Sequence, residues 1–338
     1  MADTATRTAA AASAGTSEPG APRPGQGGGG RRITRQVVLK VLTSLLVLWA
    51  VVTIVFFLAR ISGDPVALLL PPEATPEQAA VLRAQLGLDR PLGVQYVEYL
   101  RGLLSFDFGT SIHYNEPVRA LITERLPATV QLAIAAFVVT LLIAIPAGCV
   151  AALKRGKAAD SVIMGIVLIG QSTPAFWLGI VLILLFSVQL HILPAAGYGT
   201  PANLVLPAFT LAIYSVAVVA RLLRSSLVEV LGTDYVRTAR AKGAAESSVV
   251  LSHSLRNASL PVVTVLGLEF GSLLGGAIMT EQIFAWPGLG RLTIEAIANR
   301  DFPLVQGTVV LFAVTFVVVN LLVDLSYAII DPRVRVEA

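Results

Sequence analysis

Residues 161–220 read SVIMGIVLIGQSTPAFWLGIVLILLFSVQLHILPAAGYGTPANLVLPAFTLAIYSVAVVA and contain no Lys, Arg, Asp or Glu. A membrane-spanning helix needs about 20 apolar residues, because each residue rises about 1.5 Å through a bilayer core about 30 Å thick. One straight helix of this length would be about three times too long. The run therefore crosses the membrane twice, and the prolines and glycines of residues 191–207 mark the predicted turn.

The composition of the whole chain is also that of a membrane protein. Of its 338 residues, 55% are hydrophobic and 14% are charged, and the mean hydropathy is +0.77. In soluble domains about a quarter of the residues are charged. We therefore predict an all-α integral membrane protein with a kink at Pro174 in its third span. The six predicted spans are residues 37–59, 126–153, 161–189, 206–223, 260–280 and 306–330.

The segments between the spans divide into two sides by charge. Residues 1–35, rich in Ala, Gly, Pro, Ser and Thr, are predicted to be a disordered cytoplasmic tail. Segments on the side of the termini carry 17 Lys and Arg residues against 8 on the other side. The positive-inside rule then places both termini in the cytoplasm, residues 60–125 in a small extracytoplasmic helical cap, and residues 224–259 in a cytoplasmic loop. The basic clusters thus indicate topology rather than a nucleic-acid surface.

Within the cytoplasmic loop, DYVRTARAKG at residues 234–243 has the pattern of a short helix. Asp234 is predicted to cap it and Gly243 to end it. Tyr235, Val236 and Ala239 would form a small apolar face. Such a helix suits docking into a groove on a soluble partner, although it could equally lie on the lipid headgroups.

The fifth predicted span contains a carboxylate and three spaced glycines. Gly267, Gly271 and Gly275 recur every four residues, a spacing that lets another helix pack closely. Glu269 lies on the opposite side of the helix, and a carboxylate is costly in lipid. Two interpretations stay open: Glu269 lines a transport pathway and meets the amino group of a peptide, or it is buried and hydrogen-bonded to a neighbouring helix.

Several stretches together resemble one family. They are GDP at 63–65, YVEYLRGLLSFDFGTSI at 96–112, DYVRTARAKGAAESSVVLSHSLRNASLPVV at 234–263, EQIFAWPGLGRL at 281–292 and NLLVDLSYAIIDPRVR at 320–335. In these the chain resembles the B-type permease subunits of dipeptide and oligopeptide ATP-binding-cassette (ABC) importers. The resemblance covers about residues 35–335 and implies the type I importer permease fold, with residues 36–335 as the permease domain.

The resemblance also implies partners and site residues. The partners would be a related C-type permease subunit, two ATPase subunits that bind ATP and Mg, and an extracytoplasmic peptide-binding protein, besides membrane lipid. This chain has no phosphate-binding loop and no metal-binding motif, so no catalytic residue and no cofactor of its own is expected. Coupling to the ATPases would fall on a helix at 234–243. The coupling residues that the resemblance implies, on this helix and just after it, are Asp234, Tyr235, Arg237, Ala239, Lys242, Gly243 and Glu246.

The implied outer-mouth turn consists of Glu281, Trp286, Pro287, Gly288 and Gly290, placed to meet the binding protein. Trp286 could instead anchor the membrane interface, as tryptophans commonly do. The general importer pattern is Glu-Ala-Ala followed by three residues and Gly. At the positions of Glu-Ala-Ala this chain has Arg237, Thr238 and Ala239, and Gly243 follows after three residues. The missing glutamate weakens any transfer of roles from sugar importers.

Other functions stay open at this point. The same architecture could carry nickel or another small solute. A secondary transporter would show internal repeats and several ionisable residues near the membrane midplane, and here Glu269 alone lies deep in a predicted span. An intramembrane enzyme would need a nucleophile, an acid pair or a metal set on facing helices, which the spacing of Ser, Cys149 and the histidines does not provide.

Overall fold

The computed structural model describes residues 29–61, 66, 70, 74–85 and 87–330. In these residues it is helical throughout, with one isolated antiparallel bridge between Thr110 and Pro117 and no strand. The helices are α1 Gly29–Ile61, α2 Pro76–Gln85, α3 Leu92–Leu104, α4 Val118–Leu153, α5 Ala158–Ser172, α6 Ala175–Leu182, α7 Pro201–Leu231, α8 Asp234–Ala241, α9 Leu255–Ile283, α10 Leu289–Ala298 and α11 Phe302–Ile330. The predicted all-α fold is confirmed.

Five helices are individually long and apolar enough to cross a membrane: Val38–Ile61, Val118–Leu153, Pro201–Leu231, Leu255–Ile283 and Phe302–Val323. A further apolar pair, Ala158–Ser172 and Ala175–Gln189, meets at 105° and makes a sixth crossing if the pair forms one broken span. The second half of this pair ends in a π-helical segment, Ile183–Gln189. The third predicted span is thus a sharp bend rather than a kinked continuous helix.

The break follows from Pro174. The residue before a proline is forced out of the helical region by the pyrrolidine ring, and Thr173 accordingly adopts an extended conformation with φ −83° and ψ 124°. Its hydroxyl donates a hydrogen bond of 2.7 Å to the carbonyl of Ile169. This bond closes the end of α5, and α6 restarts after Pro174 in a new direction.

The helices extend further than the predicted spans. The first begins at Gly29, inside the predicted tail, whose residues 1–28 lie outside the described part of the chain. The helix α4 begins at Val118, so its first two turns take the last residues of the predicted cap, and α7 continues to Leu231. Hydropathy locates the membrane, whereas backbone hydrogen bonding continues past it into the charged residues.

The core of the bundle is the contact between α4 and α7. Small side chains line it: Ala133, Ala136, Ala212 and Ala220 are fully buried. A methyl group added at Gly148 would lie 2.9 Å from the carbonyl oxygen of Ala220. Small residues let backbones approach closely where lipid supplies no hydrophobic drive between helices.

An ion pair fixes α5 to the far end of α7. The Arg224 guanidinium donates two hydrogen bonds of 2.6 Å to the Asp160 carboxylate, which also accepts the backbone N–H of Gly156 at 3.0 Å. Two parallel bonds fix orientation as well as distance. The turn between α4 and α5 is thereby held against α7.

The predicted glycine packing on α9 holds at two of its three positions. A methyl group at Gly267 would lie 2.4 Å from Cγ2 of Val323, and one at Gly271 would lie 3.0 Å from Cγ1 of Val319, both on α11. Gly275 has no atom within 4 Å of such a methyl group. Within the described part of the chain no helix packs closely against Gly275, so the prediction for Gly275 is wrong.

The two outer glycines of this motif therefore respond differently to the same change. Gly267→Ala forces its methyl group into a stiff β-branched neighbour, and we expect it to lose about 1–3 kcal/mol of stability. Gly275→Ala gains the same helix propensity without a clash and serves as the matched control. Thermal unfolding in detergent, followed by a thiol-reactive dye on the half-buried Cys149, measures both. Equal midpoints would contradict the packing.

Candidate coupling site and outer turn

The short helix α8 lies in the connection between α7 and α9. Its first turn differs from the prediction, because Asp234 is the first helical residue and not the cap. Thr233 occupies the cap position, and its hydroxyl donates to the carbonyl of Val230 at 2.6 Å instead of to the helix. Asp234 points into solvent and pairs with Arg237 at 3.3 Å. An acid in the first turn still suits the helix dipole.

The end of α8 is formed by Gly243, as predicted. Gly243 has φ +80°, and its N–H donates to the carbonyl of Arg240 at 2.9 Å, while the N–H of Ala244 donates to that of Ala239 at 3.2 Å. These two bonds define a Schellman motif. A methyl group at Gly243 would have no atom within 4 Å, so glycine is needed for its backbone conformation and not for space.

The side of α8 that faces the rest of the chain is apolar. Val236 is fully buried and Ala239 is half-buried. Tyr235, the third residue of the predicted apolar face, is 44% exposed, and its hydroxyl accepts a hydrogen bond of 2.8 Å from the Asn257 amide. Val236 is thus used for packing within the chain, whereas Tyr235 and part of Ala239 stay accessible, and docking of this face stays a prediction.

The outward side of α8 is polar. Asp234, Arg237 and Lys242 are exposed there. At its end, the Arg240 guanidinium donates hydrogen bonds of 3.1 and 2.6 Å to the Glu246 carboxylate. This pairing lowers the pKa of Glu246 and raises that of Arg240. Of the predicted coupling residues, the charged ones, Asp234, Arg237, Lys242 and Glu246, are thus exposed at α8 and just after it.

A continuous helical segment joins this surface to the fifth span. The helix Glu246–Ser248 continues through a π-helical segment, Val249–Ser254, directly into α9. Val249 and Val250 are buried, and the Ser254 hydroxyl donates to the carbonyl of Val249 at 2.9 Å. From Glu246 onward the segment thus reaches α9 without a loop, and only the turn of residues 242–245 separates it from α8.

At the other end of α9, the predicted outer turn closes around Glu281. This carboxylate is fully buried. It accepts a hydrogen bond of 2.7 Å from the Thr129 hydroxyl and one of 3.1 Å from the backbone N–H of Arg291. Thr129 in turn accepts the N–H of Leu289 at 2.8 Å. One buried group thereby joins α4, α9 and α10.

Trp286 lies inside the same turn. It is 1% exposed, its indole N–H donates to the carbonyl of Ala128 at 2.8 Å, and the Tyr198 ring meets it edge to face at 4.8 Å. Both predictions for Trp286 are wrong, because a buried side chain neither anchors the membrane interface nor contacts a binding protein. The sequence shows an aromatic beside a turn, but its hydrogen-bond acceptor comes from a distant helix.

The glycines of the turn make room for the carboxylate. A methyl group at Gly288 would lie 2.2 Å from Oε1 of Glu281, and one at Gly290 would lie 2.5 Å from Cα of Ile278. Pro287, directly before Gly288, is half-buried. The turn is thus an internal clamp rather than an exposed mouth.

Two further polar residues of this region were missed in the sequence. Thr129 is one, and nothing in its surroundings of apolar residues signals it. The other is Asp301, which is fully buried. It accepts hydrogen bonds from the Ser111 hydroxyl, the His113 N–H at 3.1 Å and the Leu304 N–H at 3.3 Å. An aspartate directly before a helix is a capping signal, so Asp301 was detectable.

Glu269 lies midway along α9 and is half-buried. Its carboxylate accepts a hydrogen bond from the Ser215 hydroxyl on α7. The predicted bond to a neighbouring helix is present, and the exposed remainder of the side chain leaves the pathway role as a prediction.

Comparison with known proteins identifies the family. The model of the binding-protein-dependent transport system inner membrane component matches residues 144–336, and the model of the N-terminal part of such membrane components matches residues 33–133. The chain belongs to this family. It is a multi-pass permease component of the inner membrane, and no enzyme activity is expected of it.

Similar chains share most of its length. A putative peptide transport system permease protein of Brucella abortus (strain 2308) is 43% identical over 90% of this chain and 99% of its own. The glutathione transport system permease protein GsiC of Salmonella choleraesuis is 44% identical over 88% and 98%. The dipeptide transport system permease protein DppB of Escherichia coli (strain K12) is 42% identical over 82% and 92%.

Among solved structures, the MetNI methionine ABC transporter in an inward-facing form is similar, with a TM-score of 0.53 at 19% identity over 62% of this chain and 96% of that one. The type I ABC importer permease fold is thus confirmed.

The close packing of Gly288 against Glu281 predicts that an added methyl group at this glycine lowers the stability of the protein. Gly288→Ala would push the carboxylate off the donors of Thr129 and Arg291, leaving a buried charge unsatisfied at about 1–3 kcal/mol or more. We expect a lower unfolding midpoint and less protein in the membrane. Gly165→Ala in α5, where a methyl group meets no atom within 4 Å, is the control. If both variants had the unfolding midpoint of the parent protein, the packing around Glu281 would not contribute to stability.

Proposed function

We propose that this chain forms half of the translocation pathway of an ATP-driven importer for dipeptides and oligopeptides. The observation that carries the proposal is the extent of the similarity to peptide, dipeptide and glutathione transport permeases, which covers four fifths of the chain or more. The other half would be a related C-type permease subunit. Two ATPase subunits would bind ATP and Mg, and an extracytoplasmic binding protein would deliver the peptide.

In this assembly α8 would be the coupling helix. Its exposed surface at Asp234, Arg237 and Lys242 would meet the ATPase, and the continuous helix from Glu246 would pass the motion to α9. Support comes from the buried Val236, which fixes α8 to the chain while its polar side stays free. The ATPases lie in the cytoplasm, so both termini would lie there as well, in agreement with the charge distribution.

The assembly and its energy source can be tested together. The tagged chain, purified in mild detergent, should recover a second six-span subunit and ATPases. Reconstituted with a binding protein, the complex should take up dipeptides on addition of ATP. Uptake of nickel or another small solute instead of peptides would keep the architecture and overturn the substrate. Uptake by this chain alone under an ion gradient would overturn both.

The coupling role is tested in the same vesicles with Gly243→Val. A β-branched residue at positive φ costs about 1–2 kcal/mol or more, and we expect it to deform the end of α8 and to abolish the stimulation of ATPase activity by loaded binding protein. Gly156→Val is the matched control, since Gly156 also has positive φ with no atom within 4 Å of a methyl group but lies outside α8. Equal stimulation in both variants would exclude the coupling role.

Glu269→Gln tests the pathway role without removing the bond to Ser215, because the amide oxygen can still accept the hydroxyl proton. If the carboxylate meets the amino group of the peptide, uptake should fall about tenfold, equivalent to about 1.4 kcal/mol. An N-acetylated dipeptide should be less affected than a free one. Normal uptake and unchanged preference would leave Glu269 a structural residue.

A further inference from the structure

The cap helix α3 lies against the end of α1 that leads into the cap. The Arg60 guanidinium donates hydrogen bonds of 3.1 and 3.0 Å to the Gln95 side-chain oxygen. The Phe56 ring meets that of Tyr96 at 5.2 Å and that of Tyr99 at 5.4 Å. Gln95 is buried and Tyr96 and Tyr99 are half-buried, so this side of α3 faces α1.

These contacts fix the depth of α3 in the membrane. Lys40 and Arg60 lie at opposite ends of the uncharged part of α1, about 30 Å apart along the helix, which is the thickness of the hydrocarbon core. Arg60 therefore marks one boundary. The hydroxyls of Tyr96 and Thr53 share a hydrogen bond of 2.7 Å, and Thr53 lies about 10 Å further into the core. The backbone of α3 is thus at the boundary, and Tyr96 reaches below it.

The side of α3 turned away from α1 is apolar. Gly93, Val97, Leu100 and Leu104 follow one another at spacings of four, three and four residues, and at 100° per residue they form one stripe opposite Gln95. Leu100 is half-buried and the other three are exposed, Leu104 at 84%. Exposure of such an apolar stripe to water would be unfavourable.

The residue after this helix adds an unusual feature. Phe106 is 70% exposed and has φ 55°. It occupies the position of a Schellman motif that glycine normally fills, since its N–H donates to Leu103 at 3.2 Å and the N–H of Asp107 donates to Gly102 at 2.9 Å. A left-handed phenylalanine costs about 1–2 kcal/mol. If the Phe106 ring faced water, no burial of the ring would offset this cost.

We propose that α3 and Phe106 form an interfacial foot, an amphipathic element that lies in the headgroup boundary of the membrane leaflet on the cap side. The occupant of the apolar stripe is lipid, because α3 is held beside Arg60, at the boundary of the hydrocarbon core. On α1, Phe57, Leu58 and Ile61 are exposed at the same depth. Interfacial helices bury their apolar faces about 5–10 Å into this boundary, which matches the depth set by Arg60.

The charged side of α3 gives the foot its orientation. Glu98 and Arg101 are exposed beside the stripe, and Glu98 pairs with Arg90. Glu98 follows Val97 in sequence but lies 100° further round the helix. With Val97 toward the acyl chains, the pair of Glu98 and Arg90 turns toward the headgroups and water.

The neighbouring positions 97 and 98 provide a matched test. In a Cys149→Ala background, Val97→Cys, Leu104→Cys and Glu98→Cys are each labelled with a nitroxide, in the full chain purified with its partners and reconstituted in phospholipid vesicles. Collision with oxygen, which concentrates in the acyl region, is compared with collision with a water-soluble nickel chelate. The labels at 97 and 104 should favour oxygen by several-fold, and the label at 98 should favour the chelate.

Two outcomes would overturn the proposal. If all three labels favour the chelate, the stripe lies in water and is free for a protein of the aqueous phase. If the labels at 97 and 104 collide with neither reagent, another subunit covers the stripe instead of lipid. Neither outcome depends on which solute is transported, so the interfacial foot can be overturned without overturning the proposed function, and the reverse also holds.

Discussion

A polar group buried away from water has to find its partner within the chain itself, and the placement of the helices depends on these pairings. Glu281 shows this most clearly. Its carboxylate is fully buried and is held by Thr129 on α4 and by the backbone of Arg291 on α10. A shift of any of the three helices would leave a charge without a donor, at a cost of several kcal/mol. Asp160 and Arg224 do the same between α5 and α7.

The positions of these pairings make α9 the central element of the fold. Its outer end is fixed through Glu281, its middle is joined to α7 through Ser215 and Glu269, and its other end continues without a loop into the segment that begins at Glu246 beside α8. A force applied to one end of such a helix would tilt it rather than stretch it, because its backbone hydrogen bonds resist extension. Polar contacts along α9 would therefore reorganise together with any motion of α8.

What the sequence could predict depended on how local each cause was. Apolar runs located the spans, and Gly243 was identified because a helix end with positive φ is a local demand for glycine. The 105° bend at Pro174 was underestimated, since membrane helices often continue through proline when neighbours satisfy the freed groups. Trp286 was misplaced because its acceptor, Ala128, lies 158 residues away. Thr129 carried no local signal at all.

The surface of α8 changes how recognition at this site has to be understood. A helix that docks by an apolar face would resist salt, whereas here Val236 is used for packing within the chain, and Asp234, Arg237 and Lys242 remain outside. Attraction between exposed charges weakens over about 10 Å at moderate ionic strength. A partner that reads this surface must therefore supply complementary charges at close range.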